Sequence, residues 1–238
     1  MDVIKVSNVT KKFSKNLILD DISLNIEQGS IVGLIGPSGA GKSTLVKAIM
    51  GMEKVNSGNI EVLNAKVPNL KILSDIGYMA QSDALYEDLT GKENLEFFGK
   101  LFKLKKDELK KRIEYTSKLV NLENHLDKKV SAYSGGMKRR LSLSLSLIQD
   151  PTLLILDEPT VGIDPTLRLN IWKELHDLKL QGKSIVVTTH VMDEAAKCDK
   201  LALIRDGKII ATGTPDDLIS EFNVSSIEEV FLKIGSDR

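Results

Sequence analysis

The sequence predicts an α/β fold, and three observations predict it. An apolar run, Ile31-Val32-Gly33-Leu34-Ile35, ends in the glycine-rich segment Gly36-Pro37-Ser38-Gly39-Ala40-Gly41-Lys42-Ser43-Thr44, and Ser43 to Met50 then reads as helix. A second apolar run, Leu153-Leu154-Ile155-Leu156, ends in Asp157 and Glu158. Strand-like segments at both ends of the chain flank a stretch from about 83 to about 150 whose pattern is helical.

The elements follow in order. Val3-Ile4-Lys5-Val6 and Ile22-Ser23-Leu24-Asn25-Ile26 alternate at period two, and Gln28-Gly29 makes a turn. Ile60 to Leu63 and Ile76 to Met79 are further strand candidates. Thr90-Gly91-Lys92-Glu93 has the spacing of a capping box, and Asp107 is placed to cap a helix carrying Leu109, Ile113 and Val120 on one side. Leu141-Ser142-Leu143-Ser144-Leu145-Ser146-Leu147 alternates like a strand. Ser134 upstream is nevertheless a suitable N-cap, Lys138-Arg139-Arg140 favour helix, and Pro151 supplies a stop, so a helix is expected there. Leu153 to Leu156 and Ser184 to Thr189 read as buried strands. Leu201 to Ile204 and Ile209 to Thr212 flank Asp206-Gly207, a hairpin turn. Ser226-Ile227-Glu228-Glu229 opens a last short helix.

The 238 residues suffice for one large α/β domain or two small ones. Hydrophobic residues make up 42% and charged residues 28%, as in a globular protein with a real core. Lys+Arg and Asp+Glu both number 33, so charge gives no reason to expect nucleic acid. The one cysteine, Cys198, excludes an internal disulfide and fits a reducing compartment. Met1-Asp2-Val3-Ile4-Lys5 lacks the pattern of a signal peptide. No apolar run approaches the ~20 residues needed to cross a bilayer, so a membrane role is expected to come through a partner.

The chemistry begins at Gly36–Thr44. Glycines let backbone N–H groups turn towards phosphate oxygens, and the helix start adds partial positive charge. Lys42 would reach the β- and γ-phosphates and the Ser43 hydroxyl would bind Mg²⁺. Asp157, at a strand end, would hold the Mg²⁺ shell. Glu158, a carboxylate beside it, would polarise the attacking water. Nothing resembles a guanine-specific Asn-Lys-x-Asp loop, so ATP is expected as the substrate. Tyr133-Ser134-Gly135-Gly136-Met137 offers a second anion-binding helix start. One chain already has a phosphate loop, so the second start suggests a site on a neighbouring molecule.

With these motifs in this order and spacing, almost the whole chain resembles the ATP-binding subunit of an ABC transporter. The fold that the resemblance implies is a phosphate-loop NTPase core with an N-terminal antiparallel β part and an inserted helical subdomain. It would form a single ATP-binding domain over 1–238, with the helical insertion at about 83–150 and a short tail at about 214–238. Two subunits would form a head-to-tail dimer, with each ATP between one phosphate loop and the other subunit's Ser134, Gly135 and Gly136. The resemblance also implies that Gln81 touches Mg²⁺ and water, that Asp164 communicates between sites, that His190 contacts the γ-phosphate and that Phe13 stacks on adenine.

Simpler roles compete with these. Gln81 would serve as an exposed loop residue, Asp164 and His190 as helix caps, and Phe13 as core. His125 and His176 are expected at the surface, and Trp172 and Cys198 in packing. Tyr133 and Met137 stand where the commonest signature has leucine and glutamine, and methionine lacks the amide donors of glutamine.

Leu85-Tyr86-Glu87-Asp88-Leu89-Thr90, Val161-Gly162-Ile163-Asp164-Pro165, Met192-Asp193-Glu194-Ala195 and Ile227-Glu228-Glu229-Val230-Phe231-Leu232 are similar to ATPases of bacterial drug, antibiotic and polymer exporters. The resemblance thus implies hydrolysis that drives dimer closure and opening, a transmembrane permease partner, and a cytoplasmic location on the inner membrane face. A soluble ABC ATPase acting on a protein assembly or nucleic acid is the alternative. Its possible support, the basic stretch Lys103, Lys105, Lys106, Lys110, Lys111 and Arg112, reads better as a solvated helix face.

Overall fold

A computed structural model describes residues 1–82 and 84–236. Along the chain run β1 (Asp2–Phe13), β2 (Asn16–Glu27), β3 (Ile31–Ile35), α1 (Lys42–Ile49), β4 (Ser57–Val62), β5 (Ala65–Lys66) and β6 (Ile76–Met79). Then come α2 (Gly91–Leu101), α3 (Lys106–Leu119), α4 (Gly135–Ser146), β7 (Leu153–Asp157), α5 (Pro165–Leu180) and β8 (Ser184–Thr189). The last elements are α6 (Met192–Ala195), β9 (Lys200–Arg205), β10 (Lys208–Gly213), α7 (Pro215–Glu221) and α8 (Ile227–Ser236). They form two units, one of Met1–Ile72 with Val186–Arg238, the other of Leu73–Ile185.

In the first unit an antiparallel sheet has the order β2-β1-β4-β5. Period-two patterning explains it. Ile4 and Val6 on β1, and Ile22, Leu24 and Ile26 on β2, are buried, while Lys5, Ser23 and Asn25 between them point to solvent. β3 is buried at all five positions, as its unbroken apolar run requires, and pairs in parallel with β9. β9 and β10 form the expected hairpin. Its turn residues Asp206 and Gly207 both have positive φ (48° and 76°), the conformation that matches strand twist. Thr214 caps α7 in a reciprocal capping box with Asp217, a helix not anticipated from the sequence.

In the second unit β6 and β7 pair in parallel from Ile76↔Leu153 to Met79↔Leu156. The Leu-Ser alternation of 141–147 is helical, as expected. The second half of α4 is buried on nearly every side, with Leu141, Ser142, Leu143, Ser144 and Ser146 all buried and Leu145 half-buried, so small serines tolerate contact on faces that a surface helix would expose. Gly77 admits the end of this helix, because a Cβ there would lie 2.0 Å from the Ser146 carbonyl oxygen.

Thr90 and Glu93 form the capping box expected at α2. Asp107, by contrast, does not cap α3. The cap position is Lys105, without a side-chain bond, and Asp107 and Glu108 lie in the first turn, where their charges favour the helix dipole. Leu109, Ile113 and Val120 are buried as expected. Lys103, Lys105, Lys106, Lys110 and Lys111 are solvated, but Arg112 is not part of that face. Its guanidinium donates to the Leu147 and Ile148 carbonyls just past α4 and pairs with Asp150 at 3.4 Å.

His125 and His176 are half-buried rather than at the surface, His176 lying 6.2 Å from the Trp172 ring centre. Trp172 and Cys198 are buried packing residues, as expected. No described helix is long and apolar enough to cross a membrane.

Candidate active site

The first unit carries the phosphate loop between β3 and α1. Lys42, 8% exposed, folds back so that its Nζ donates to the carbonyls of Gly36 (2.7 Å) and Pro37 (3.0 Å), closing the loop on itself. The glycines differ in purpose. A Cβ at Gly36 would lie 2.1 Å from the Ile204 carbonyl oxygen, whereas Gly39 and Gly41 have positive φ (81° and 107°). Gly41 is the left-handed residue that turns the chain into α1, and Ser43 and Thr44 in the first turn are half-buried. Pro37, Ser38 and Gly39 are exposed at the tip, while Ala40 is buried.

Two further candidates lie in this unit. Phe13, ending β1, is 44% exposed with the Lys11 Nζ 4.4 Å from its ring centre, which excludes a core role. His190 follows β8 and is exposed. Val191, not His190, occupies the cap position of α6. The turn holding His190 is fixed from beneath, where the Thr189 hydroxyl donates to the buried Glu194 carboxylate (2.7 Å) and accepts from the Val191 N–H (3.0 Å).

The second unit carries the other candidates. Asp157 ends β7 and is 3% exposed. Glu158 is half-buried and left-handed, with φ 53°. Burial lifts the nearby Tyr78 phenol above its ordinary pKa, and the Asp157 charge adds to the rise. Gln81, exposed, follows β6. Ser134 caps α4 and accepts from the Met137 N–H at 3.2 Å.

Gly135 has no positive φ, and a Cβ there would meet nothing within 4 Å; at Gly136 it would meet only the Gly162 carbonyl oxygen, at 3.2 Å. Tyr133 buries its ring, and its hydroxyl donates to the His125 carbonyl (2.8 Å). Asp164 caps α5 through the Leu167 N–H (2.9 Å), so its local role is real.

Two residues escaped sequence reasoning. Gly207 supports the phosphate loop from the hairpin, its N–H donating to the Ala40 carbonyl (3.2 Å) while its own carbonyl accepts from Asp20 N–H (2.8 Å). Arg139 donates to the carbonyls of Ala80, Gln81, Asp157 and Glu158. For Gly207 the Asp-Gly pair was a signal of the turn, though not of its contact with the loop.

A glycine-rich loop opening a helix after a buried parallel strand, together with a buried aspartate at the end of another, defines a phosphate-loop nucleotide-binding protein. The ABC transporter family matches residues 19–161. The chain is 42% identical over 231 residues to the "Nod factor export ATP-binding protein I" of Rhizobium meliloti, spanning 96% of this chain and 69% of that protein. The protein of that name from Rhizobium sp. (strain N33) is 39% identical, with 96% and 76% covered.

Among solved structures, an ATP-binding subunit of an ABC transporter superposes with a TM-score of 0.92 at 26% identity, covering 98% of this chain and all (100%) of that one. A dimeric ATP-binding cassette in a post-hydrolysis state with ADP and Pi matches with a TM-score of 0.82 at 30% identity, covering 89% and 98%. The chain belongs to the ABC transporter family, as an ATP-binding cassette with the family's mixed antiparallel and parallel β architecture.

Proposed function

We propose that this chain hydrolyses ATP as one of two subunits of a head-to-tail dimer and thereby powers a membrane-embedded exporter. The observation that carries the dimer is the start of α4. Gly135 has neither a backbone conformation nor an internal contact that demands glycine, so the open space over it suits an approaching phosphate from another subunit. The dimeric relative with ADP and Pi and the exporter names of the relatives support the same reading. A soluble ATPase working on another assembly is not favoured by these names.

The residue roles follow from chemistry. The backbone N–H groups from Gly36 to Thr44 cradle the phosphates, and Lys42 exchanges its loop carbonyls for phosphate oxygens. Phe13 stacks on adenine through its exposed ring. Ser43, Asp157 and Gln81 are hard oxygen donors of the kind that Mg²⁺ takes, and the buried Asp157 fits it best. The metal would neutralise charge on the phosphate oxygens. Glu158 polarises a water that attacks the γ-phosphorus, releasing ADP and phosphate, and His190 holds the γ-phosphate. Ser134, Gly135 and Gly136 bind the ATP of the other subunit, and Asp164 relays between the two sites while capping α5. In this reading the two structural units work as one ATP-binding domain.

A transmembrane permease completes the exporter and places the chain on the cytoplasmic face of the membrane. Its supporting surface is aromatic. Tyr86 and Phe97, both exposed, meet edge-to-face with ring centres 5.0 Å apart, and Asn94 holds the Tyr86 backbone from both sides. Such an apolar patch in the segment after Gln81 suits a helix of the permease.

Glu158→Gln tests the proposal, since it should bind ATP yet hold a closed dimer that gel filtration resolves. Near-wild-type hydrolysis by this variant would overturn the assignment of the catalytic carboxylate, and an ATP-loaded monomer would overturn the dimer.

A further inference from the structure

Arg139 sits on α4 with 8% exposure, and its guanidinium donates to four main-chain oxygens. Nη1 donates to Ala80 O (2.8 Å) and Gln81 O (3.0 Å), the segment that leaves β6. Nη2 donates to Glu158 O (2.7 Å) and to Asp157 O, the segment that leaves β7. One planar fork therefore ties two strand ends together, a geometry the point-like ammonium of lysine cannot reproduce.

What they hold is specific. Glu158 is a non-glycine residue at φ 53°, a left-handed conformation that a glutamate adopts only when its surroundings impose it. The carbonyls bound by Nη2 belong to Glu158 and to the residue before it, so the guanidinium grips the turn that decides where the Glu158 carboxylate points. The same fork holds the peptide of Gln81.

We infer that Arg139 is a positioning residue for hydrolysis, clamping the left-handed turn at Glu158 and the main chain at Gln81 so that both side chains keep one aim. The inference rests on the proposed role of Glu158 as the residue that polarises water. Because Ser134 caps α4, the helix that would meet the opposite nucleotide also aims the carboxylate of its own subunit.

The test is a mutant cycle on the full chain, with MgATP turnover as the readout. Arg139→Gln should lower kcat about 100-fold, and Arg139→Lys about tenfold, with KM for ATP changed less than about threefold, the signature of a misaligned reaction rather than lost binding. Thermal unfolding is followed in parallel, and Arg139→Lys carries the cycle if the glutamine variant does not fold. In the Glu158→Gln background either substitution should lower the residual rate by a factor at least about tenfold smaller than in wild type, because the carboxylate is gone and only the aim of Gln81 is left to lose. A purely structural loss would instead lower both backgrounds by the same factor, and that result overturns the inference. Wild-type kcat in Arg139→Lys and Arg139→Gln also overturns it. Near-wild-type turnover by Glu158→Gln alone would bring down the Glu158 assignment first, and this inference with it.

Discussion

The Tyr133 hydroxyl lies 2.3 Å from where a Cβ on Gly91 would stand, so the aromatic residue at 133 and the missing side chain at 91 are one fitted pair. The pair joins the first residue of α2 to the residue just before the α4 cap, and the hydroxyl is held there by the His125 carbonyl. Gly91→Ala should therefore destabilise the protein by about 1–3 kcal/mol through overpacking. In a Tyr133→Leu background, which removes the ring and the hydroxyl, the same change should cost under about 0.5 kcal/mol, since alanine is the better helix former. Urea unfolding of the four proteins measures the coupling, and additive costs would show that the two positions do not interact.

Ser134 has two candidate duties, and aspartate separates them. As a cap it accepts from Met137 N–H, a role that Ser134→Ala should forfeit at about 1 kcal/mol. Ser134→Asp keeps the cap and suits the helix dipole, so stability should stay within about 0.5 kcal/mol. Its negative charge would nevertheless face a phosphate of the opposite ATP. ATP-driven dimerisation in the Glu158→Gln background should weaken more than about 100-fold, a loss of over ~2.7 kcal/mol. Sedimentation in ATP checks this, and undiminished dimerisation would leave Ser134 with capping alone.

What was legible in the sequence was local. The phosphate loop, the Thr90 capping box, the Ser134 cap and the Asp206-Gly207 turn each depend on residues a few positions apart, and all form as their spacing requires. Residues 141–147 were legible only with help from their flanks, because a helix buried on nearly every side loses the 3.6-residue polarity that would reveal it. Arg139 was invisible for a different reason: its partners Ala80 and Asp157 lie 59 and 18 residues away, and a side chain that binds carbonyls places no constraint on which residues own them. The left-handed turn at Glu158 is likewise imposed by tertiary contacts, since glutamate has no local preference for it. Asp107 was misplaced because acidic residues favour both the cap and the first turn, and only the path of the chain decides between them.

The phosphate-loop glycines should fail in opposite ways. Gly36→Ala drives a Cβ against a backbone oxygen of β9, so stability should fall by about 2 kcal/mol or more, since a main-chain atom in a sheet has little room to move. Gly39→Ala meets nothing within 4 Å and bears only the strain of φ 81°, about 1–2 kcal/mol. The open space beside Gly39 is where the proposed phosphate lies, so this milder variant should raise the Kd for ATP more than about tenfold, or 1.4 kcal/mol. Calorimetric unfolding and ATP titration of both variants test the contrast, and wild-type affinity in Gly39→Ala would place the phosphate elsewhere.

Cys198 links the fold to alkaline pH. Its thiol is 5% exposed and donates to the Glu194 carbonyl at 3.6 Å. Burial above all, with the Asp199 and Glu194 charges adding to it, pushes its pKa from an ordinary 9.0 up to about 12. The folded state thus keeps a proton that the unfolded chain releases. The resulting stabilisation is fully present below about pH 9 and is lost as the pH climbs from there towards about 12. Cys198→Ser keeps the side-chain shape and a donor towards Glu194 in a slightly smaller group, but does not titrate in this range. The stability of wild type relative to Cys198→Ser should therefore be constant from pH 7 to about 8.5 and then decline steadily, while other titrating groups cancel in the difference. Thiol-directed reagents should correspondingly label the native protein slowly at pH 8 and rapidly once urea unfolds it. A flat difference curve up to about pH 11, or rapid labelling of the native protein, would show that the thiol ionises as easily in the fold as outside it.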